Sequence, residues 1–289
     1  MNMNDPSEVL QPITVKDILR QSVQLYRNDL LKFLCIVLLV KGPYLVLGDV
    51  IVHWTGILLP ELPYAAGMTL VLIRFLELLL IGPILAAPIT IALSGRLLGR
   101  EIGVVEAYKI ILRNALPLFG TILLAAIIIS SIFVGSAVVA SSTMSTGSQS
   151  GSFLIMVGAV LACVLWVRYG FIAQTVVLES EGGFSAMKRS KHLVKGNFLK
   201  TFALLVLVFI ALSLIAGIIS FGIDKALSFL GEYGSLLSAG GSNVVSVLLE
   251  PLRMVAITLL YFDYRVRKEG FDLEILAEEL EASEEDERL

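Results

Sequence analysis

The sequence is poor in the residues that carry catalysis and metal binding. Its 289 residues include two cysteines and two histidines, and 16% are charged, whereas soluble domains average about 25%. Cys35 and Cys163 lie in apolar runs without metal-ligand spacing and are expected to be small buried hydrophobes. No phosphate-loop or nucleophile-elbow motif occurs. We therefore expect no enzyme, no metal site and no cofactor.

The sequence is rich in long apolar segments, and 56% of its residues are hydrophobic. A helix crosses the hydrocarbon core of a bilayer with about 20 apolar residues. Six segments are that long, at about residues 31–54, 66–94, 116–140, 152–178, 198–222 and 241–263. They exclude a cytosolic enzyme and predict an all-α, polytopic integral membrane protein with six transmembrane helices.

Basic residues concentrate on one side of these spans. They precede spans one, three and five and follow span six. The connections on the opposite side contain a single basic residue, Lys225. Because Lys- and Arg-rich connections remain in the cytoplasm, both termini are predicted to be cytoplasmic.

Each basic segment before an odd-numbered span has the pattern of a short amphipathic helix. In residues 14–28, Ile18 and Leu25 share the apolar face. Thr14 and Asp17 have the spacing of a capping box. Such a helix is too short to span and is expected in the headgroup plane. The residues expected to contact anionic lipid are Lys16, Arg20, Arg27, Lys109, Arg113, Lys188, Arg189, Lys191 and Lys195.

These segments also repeat along the chain. TVKDILRQSVQLYRND (14–29) parallels GVVEAYKIILRNA (103–115) and GFSAMKRSKHLVKGNF (183–198). Each begins a unit of interfacial helix, span, turn and span, which predicts three parallel helical-hairpin repeats. The predicted repeats cover about residues 14–102, 103–182 and 183–270.

The ends of the chain differ from this membrane domain, which we place at residues 14–270. Residues 1–13 are predicted to be disordered, and residues 271–289 to be an acidic tail that is partly an amphipathic helix. Residues 272–289 hold nine acids and one Arg. The rest of the chain therefore carries a net charge of +5, although the total charge is −3. The acidic tail is therefore a candidate to dock on the basic helices.

Seven charged residues fall inside the predicted spans. They are Lys41, Asp49, Arg74, Glu77, Arg168, Glu250 and Arg253. A charge at the bilayer centre costs roughly 2.5–3.5 kcal/mol on insertion scales, so these residues are expected to face the bundle interior and pair. Two interpretations remain open. The charges lock the helices together, or they line a path for a polar or anionic substrate such as a lipid headgroup.

Three segments resemble a known family. They are ITVKDILRQSVQLYRNDLLKFLCIVLL (13–39), VVLESEGGFSAMKRSKHLVKGNFLKTFALLVL (176–207) and LLYFDYRVRKEGFDLEIL (259–276). They are similar to the membrane domain of bacterial glycerophosphoryl diester phosphodiesterases and of related inner-membrane proteins. The most specific motifs of this resemblance are acid-Gly-Gly-x-x-Ala-x-x-x-Ser before span five and Tyr-x-Asp-x-Arg-x-x-x-Glu-Gly at the end of span six.

The resemblance implies a membrane architecture without the hydrolase. In those phosphodiesterases a soluble catalytic barrel follows the membrane domain, and its catalytic residues have no counterparts here. We expect a non-enzymatic protein of the bacterial cytoplasmic (inner) membrane with an accessory, scaffold or lipid-handling role. Its expected partners are anionic lipids and envelope proteins. Nucleic acid is not expected, because the basic segments lack interleaved aromatics. The alternative is a transporter or channel for a polar or anionic substrate.

Overall fold

The computed structural model describes residues 14–59, 61–62, 65–144 and 150–270, and all regular secondary structure in these ranges is helical. The helices are α1 (Val15–Asn28), α2 (Leu30–Leu58), α3 (Ala65–Leu76), α4 (Gly82–Leu97), α5 (Val104–Arg113), α6 (Ala115–Met144), α7 (Ser150–Arg168), α8 (Ile172–Glu179), α9 (Gly183–Val194), α10 (Phe198–Leu227) and α11 (Glu232–Glu269). The predicted disordered N-terminus and acidic tail lie outside the described residues.

Six helical stretches are long and apolar enough to cross a membrane. They are Leu30–Leu58, Ala65–Leu97, Ala115–Thr143, Gly151–Glu179, Phe198–Leu230 and Leu237–Glu269. Each overlaps one predicted span, so the prediction of an all-helical protein with six helices long and apolar enough to cross a membrane is confirmed for the described part of the chain. Each stretch has at least 29 residues, which exceeds the roughly 20 that a bilayer core requires.

Helix α11 is the central helix of the bundle. It packs against α1, α2, α4 and α10. In its most apolar window 56% of the residues are buried inside the protein, against 17–28% in the other five spans. Polar side chains on α11 therefore lie among other helices rather than in lipid.

Helix α1 packs its apolar face on protein. Ile18 and Leu25 are buried, and the Tyr26 hydroxyl donates a hydrogen bond of 2.6 Å to the carbonyl of Leu248 on α11. The predicted capping box is confirmed, since Thr14 and the carboxylate of Asp17 bond reciprocally at the start of the helix. The apolar face of α1 is thus covered by α11, and its basic face remains exposed.

A π-helical turn, Glu77–Ile81, joins α3 to α4. Pro83, two residues after this turn, lacks the N–H that would bond to the carbonyl of Leu79 inside the turn. An extra residue in one turn of a helix is rare and marks functional sites more often than ordinary helix. This turn begins at an intramembrane carboxylate, Glu77.

The two cysteines correct a prediction. Cys35 and Cys163 are exposed, so the expectation that they are buried was wrong. In a membrane helix an apolar run does not specify burial, because lipid tails solvate apolar side chains as well as a protein core does.

Gly158 allows α6 and α7 to pack closely. A Cβ atom at this position would overlap the Cβ and hydroxyl of Ser136 on α6, and the Cβ of Ser136 cannot rotate away. Gly158→Ala is expected to lower the free energy of unfolding by about 1–3 kcal/mol, as overpacking does. Gly120→Ala is the control, because a Cβ there meets nothing within 4 Å. Thermal unfolding in detergent measures both, and equal midpoints would contradict close packing at Gly158.

Candidate functional site

Lys41 is a buried lysine in the middle of a charged cluster. Its side chain is 2% exposed, and its Nζ lies 3.1 Å from Oε1 of Glu77 and 2.8 Å from Oε2 of Glu250. A buried ammonium is tolerated only when it is paired. Lys41 therefore ties α2 to both the π-helical turn and α11.

Two arginines extend the cluster. Nη1 of Arg74 lies 2.8 Å from Oε2 of Glu77, and the guanidinium of Arg253 pairs with Oε1 of Glu250. The result is a chain of alternating charges that begins and ends on an arginine. We call Arg74, Glu77, Lys41, Glu250 and Arg253, in that order, the charged cluster. It holds three cations and two carboxylates.

The charged cluster opens onto a cavity of about 460 Å³ between α3, α10 and α11. All five of its residues line this charged cavity, and its lining also includes Phe209, Leu212, Ser213 and Ala216 of α10. Arg74 keeps 49% of its side chain exposed. The cluster is therefore accessible from outside the helix bundle.

A second cavity, of about 80 Å³, shares the lining residues Leu78 and Arg253 with the first. Its other lining is almost entirely apolar and includes Gly82, Ala126 and Trp166. We call it the apolar cavity. Arg253 lines both cavities, and its Nε is buried with no hydrogen-bond partner among the described residues.

The remaining intramembrane charges lie apart from this cluster. Asp49 is exposed and accepts a hydrogen bond of 2.7 Å from Nδ2 of Asn243. Arg168 is also exposed, and its carbonyl accepts from the hydroxyl of Ser190 on α9 at 2.9 Å. Asp49 and Arg168 thus depart from the expectation that the intramembrane charges face the bundle interior and pair. Arg168 is the last residue of α7 and contacts the amphipathic helix α9.

A second set of ionic contacts joins the regions of the two sequence motifs described above. One motif leads into α9, and the other lies at the end of α11. Arg189 lies with its Nε 2.5 Å from Oε2 of Glu179 and donates from Nη2 to Oε2 of Glu269 at 2.6 Å. The Tyr261 hydroxyl donates to Oε1 of Glu179 at 2.6 Å. Hydrogen bonds to Glu269 and then to Glu179 raise the pKa of Arg189 above its ordinary value, against the lowering by burial. We call these four residues the Arg189 cluster.

The predicted lipid-contact residues divide into two groups. Arg189 is engaged with the two carboxylates of its cluster. The other eight side chains are exposed, namely Lys16, Arg20, Arg27, Lys109, Arg113, Lys188, Lys191 and Lys195. They remain available to an anionic surface, and their contact with lipid stays a prediction.

Sequence reasoning missed three carboxylates that organise the end of α11. Besides Glu179 and Glu269, Asp263 is fully buried and lies 2.6 Å from Nζ of Lys200 and 2.8 Å from Nε of Arg267. Asp263 and Glu269 belong to the Tyr-x-Asp-x-Arg-x-x-x-Glu-Gly motif, so that motif was the available signal. Its acids pair with cations and, among the described residues, form no group of three or more ligands able to hold a metal.

Comparison with known proteins identifies a family. Residues 15–264 match a family described as a domain of unknown function, DUF7847. No curated protein and no solved structure matches the chain. Because the family match covers well over half of the sequence, the protein belongs to the DUF7847 family.

Proposed function

We propose that this protein is a non-enzymatic integral membrane protein with a lipid-handling role, which binds a membrane amphiphile between its helices. The observation that carries the proposal is that the charged cluster opens onto a cavity. A cluster that only held helices together would need each charge to meet its partner and would have no need of an accessible cavity. Here Arg74 reaches the surface and all five charged residues line one accessible space.

The walls of the charged cavity suit an amphiphile. One side presents charges of α2, α3 and α11, and the other presents Phe209, Leu212 and Ala216 of α10. Ligand sites typically combine apolar walls with a few placed polar groups. Because α10 packs mainly against α11, we propose that lipid enters from the side, between α10 and α3.

The proposal includes the finer architecture and the membrane. We infer three helical-hairpin repeats, with both termini cytoplasmic, in the bacterial inner membrane. Packing of α2 on α3, α6 on α7 and α10 on α11 supports the hairpins. The six helices long and apolar enough to cross a membrane support the membrane assignment, and the resemblance of three sequence segments to the membrane domain of glycerophosphoryl diester phosphodiesterases stays a hypothesis. An accessory role beside envelope proteins is compatible with lipid binding.

A transporter or channel is the second candidate, and backbone irregularities beside the charges favour it. The π-helical turn starts at Glu77, and Pro251 lies inside α11 directly after Glu250. Proline and π-turns are common points of bending in membrane helices. A transporter would use this bending to expose the charged cavity alternately to the two sides.

Filling the charged cavity is expected to remove bound lipid. Ala216→Trp places an indole in the cavity, whereas Ala211→Trp, on the same helix, places it on the exposed surface. We expect the first variant to retain much less lipid than the wild type after purification in detergent, and the second to retain as much. Mass spectrometry of extracted lipid per mole of protein measures this. Equal lipid content in both variants would contradict the proposed function.

A further inference from the structure

We infer that Arg74 and Arg253 form a binding site for the oxyanion headgroup of one anionic amphiphile, a phosphate or carboxylate carried on an alkyl chain. This inference rests on the proposed function and names its ligand. It follows from three independent features of the charged cluster: its net charge, its free hydrogen-bond donors and the apolar cavity beside it.

The first feature is an excess of one positive charge. Lys41 is shared by two carboxylates, and each carboxylate also binds one arginine, so three cations meet two anions. Unbalanced charge at membrane depth is costly. One monoanion in the charged cavity neutralises the cluster without disturbing the contacts of Lys41.

The second feature is the pair of arginines at the ends of the cluster. Within the described part of the chain, the structure gives Arg74 and Arg253 one ion-pair partner each, through Nη1 and Nη2 respectively. A guanidinium has five N–H donors in a planar fork that matches phosphate and carboxylate. The buried Nε of Arg253 is one such donor without a partner. Both side chains line the same cavity, where they can hold one oxyanion together.

The third feature selects an amphiphile over a free anion. Phe209, Leu212 and Leu249 give the charged cavity apolar walls. The apolar cavity is lined by Leu78 and Arg253 as well, and by Trp166. An alkyl chain attached to an anion on Arg253 therefore has apolar surface within reach, and the small volume of about 80 Å³ admits part of one chain rather than two.

The test uses the full-length protein in dodecyl maltoside micelles, titrated with dodecyl phosphate, dodecanoate, dodecanol and inorganic phosphate. Trp166 lines the apolar cavity, so its fluorescence in a Trp54→Phe background reports binding. We expect the two anionic amphiphiles to bind and dodecanol and inorganic phosphate to bind far more weakly. Arg74→Gln and Arg253→Gln are each expected to weaken binding about tenfold or more, as loss of a hydrogen bond to a charged group does.

Arg168→Gln is the matched control, because Arg168 is an exposed arginine that lines neither cavity, and we expect it to bind as the wild type does. Arg74 is half exposed, so Arg74→Gln tests the site even if Arg253→Gln does not fold. Unchanged affinity in Arg74→Gln would overturn the inference. So would dodecanol or inorganic phosphate binding as tightly as dodecyl phosphate. If Ala216→Trp loses a retained lipid that is neutral, the proposed function stands and the anion site fails.

Discussion

Replacing Lys41 by methionine is expected to lower the free energy of unfolding by about 3–5 kcal/mol, the usual loss when one partner of a buried ionic contact is removed. Methionine has a similar length and is apolar, so it preserves packing. It leaves Glu77 and Glu250 near each other without the cation between them. Each carboxylate keeps one arginine, but those arginines lie at the outer ends of the cluster.

The measurement is thermal or denaturant unfolding in detergent, with Lys32→Met as the control. Lys32 lies nine positions earlier in the same helix and is partly exposed, so its replacement is expected to change stability little. The double variant Lys41→Met/Glu250→Gln is expected to regain none of this stability, because removing the carboxylate of Glu250 leaves Arg253 without its ion-pair partner. If Lys41→Met were as stable as Lys32→Met, the contacts of Lys41 with Glu77 and Glu250 would not be what holds the helices together.

This result would separate two roles within one cluster. Lys41 bonds two carboxylates and is almost completely buried, which fits a structural role. Arg74 and Arg253 each have one carboxylate partner and face the charged cavity, which fits ligand binding. We therefore expect Lys41→Met to affect stability most and Arg74→Gln to affect ligand affinity most. The two interpretations of the intramembrane charges then apply to different residues.

The sequence predicted what depends on local spacing. Hydropathy located the six spans because the length of apolar helix needed is set by the bilayer. The i, i+3 spacing placed Arg74 beside Glu77 and Glu250 beside Arg253, and the structure contains both pairs. These features require no knowledge of which helices are neighbours.

The sequence could not predict contacts between helices distant in the chain. Lys41 and Glu250 are 209 residues apart, and Arg189 and Glu269 are 80 apart. Finding such pairs requires knowing that α11 is central, and hydropathy does not distinguish a central span from a lipid-facing one. The exposure of Cys163 was missed for the same reason. Burial inside a membrane bundle depends on helix arrangement more than on polarity.

Replacing Arg189 by glutamine is expected to destabilise the protein by about 2–4 kcal/mol, somewhat less than a fully buried contact because the arginine is 22% exposed. The change leaves Glu179 and Glu269 without the guanidinium that bridges them. Arg265 still bonds Glu269, and Tyr261 still donates to Glu179, which limits the loss. The unfolding midpoint in detergent and the yield of folded protein measure the effect.

Lys188 and Lys191 are the matched controls, because they lie on the same helix, α9, and are exposed. Lys188→Gln/Lys191→Gln is expected to keep the unfolding midpoint and to weaken association with anionic lipid added in mixed micelles, by about 1 kcal/mol per charge near the surface. Arg189→Gln is expected to do the reverse. Loss of lipid association in Arg189→Gln without a change in stability would place Arg189 among the headgroup contacts. The opposite result would show that Arg189 packs α9 against α8 and the end of α11. In that case the ion pairs of Arg189 with Glu179 and Glu269 hold α9 in place, and the exposed lysines of α9 contact lipid.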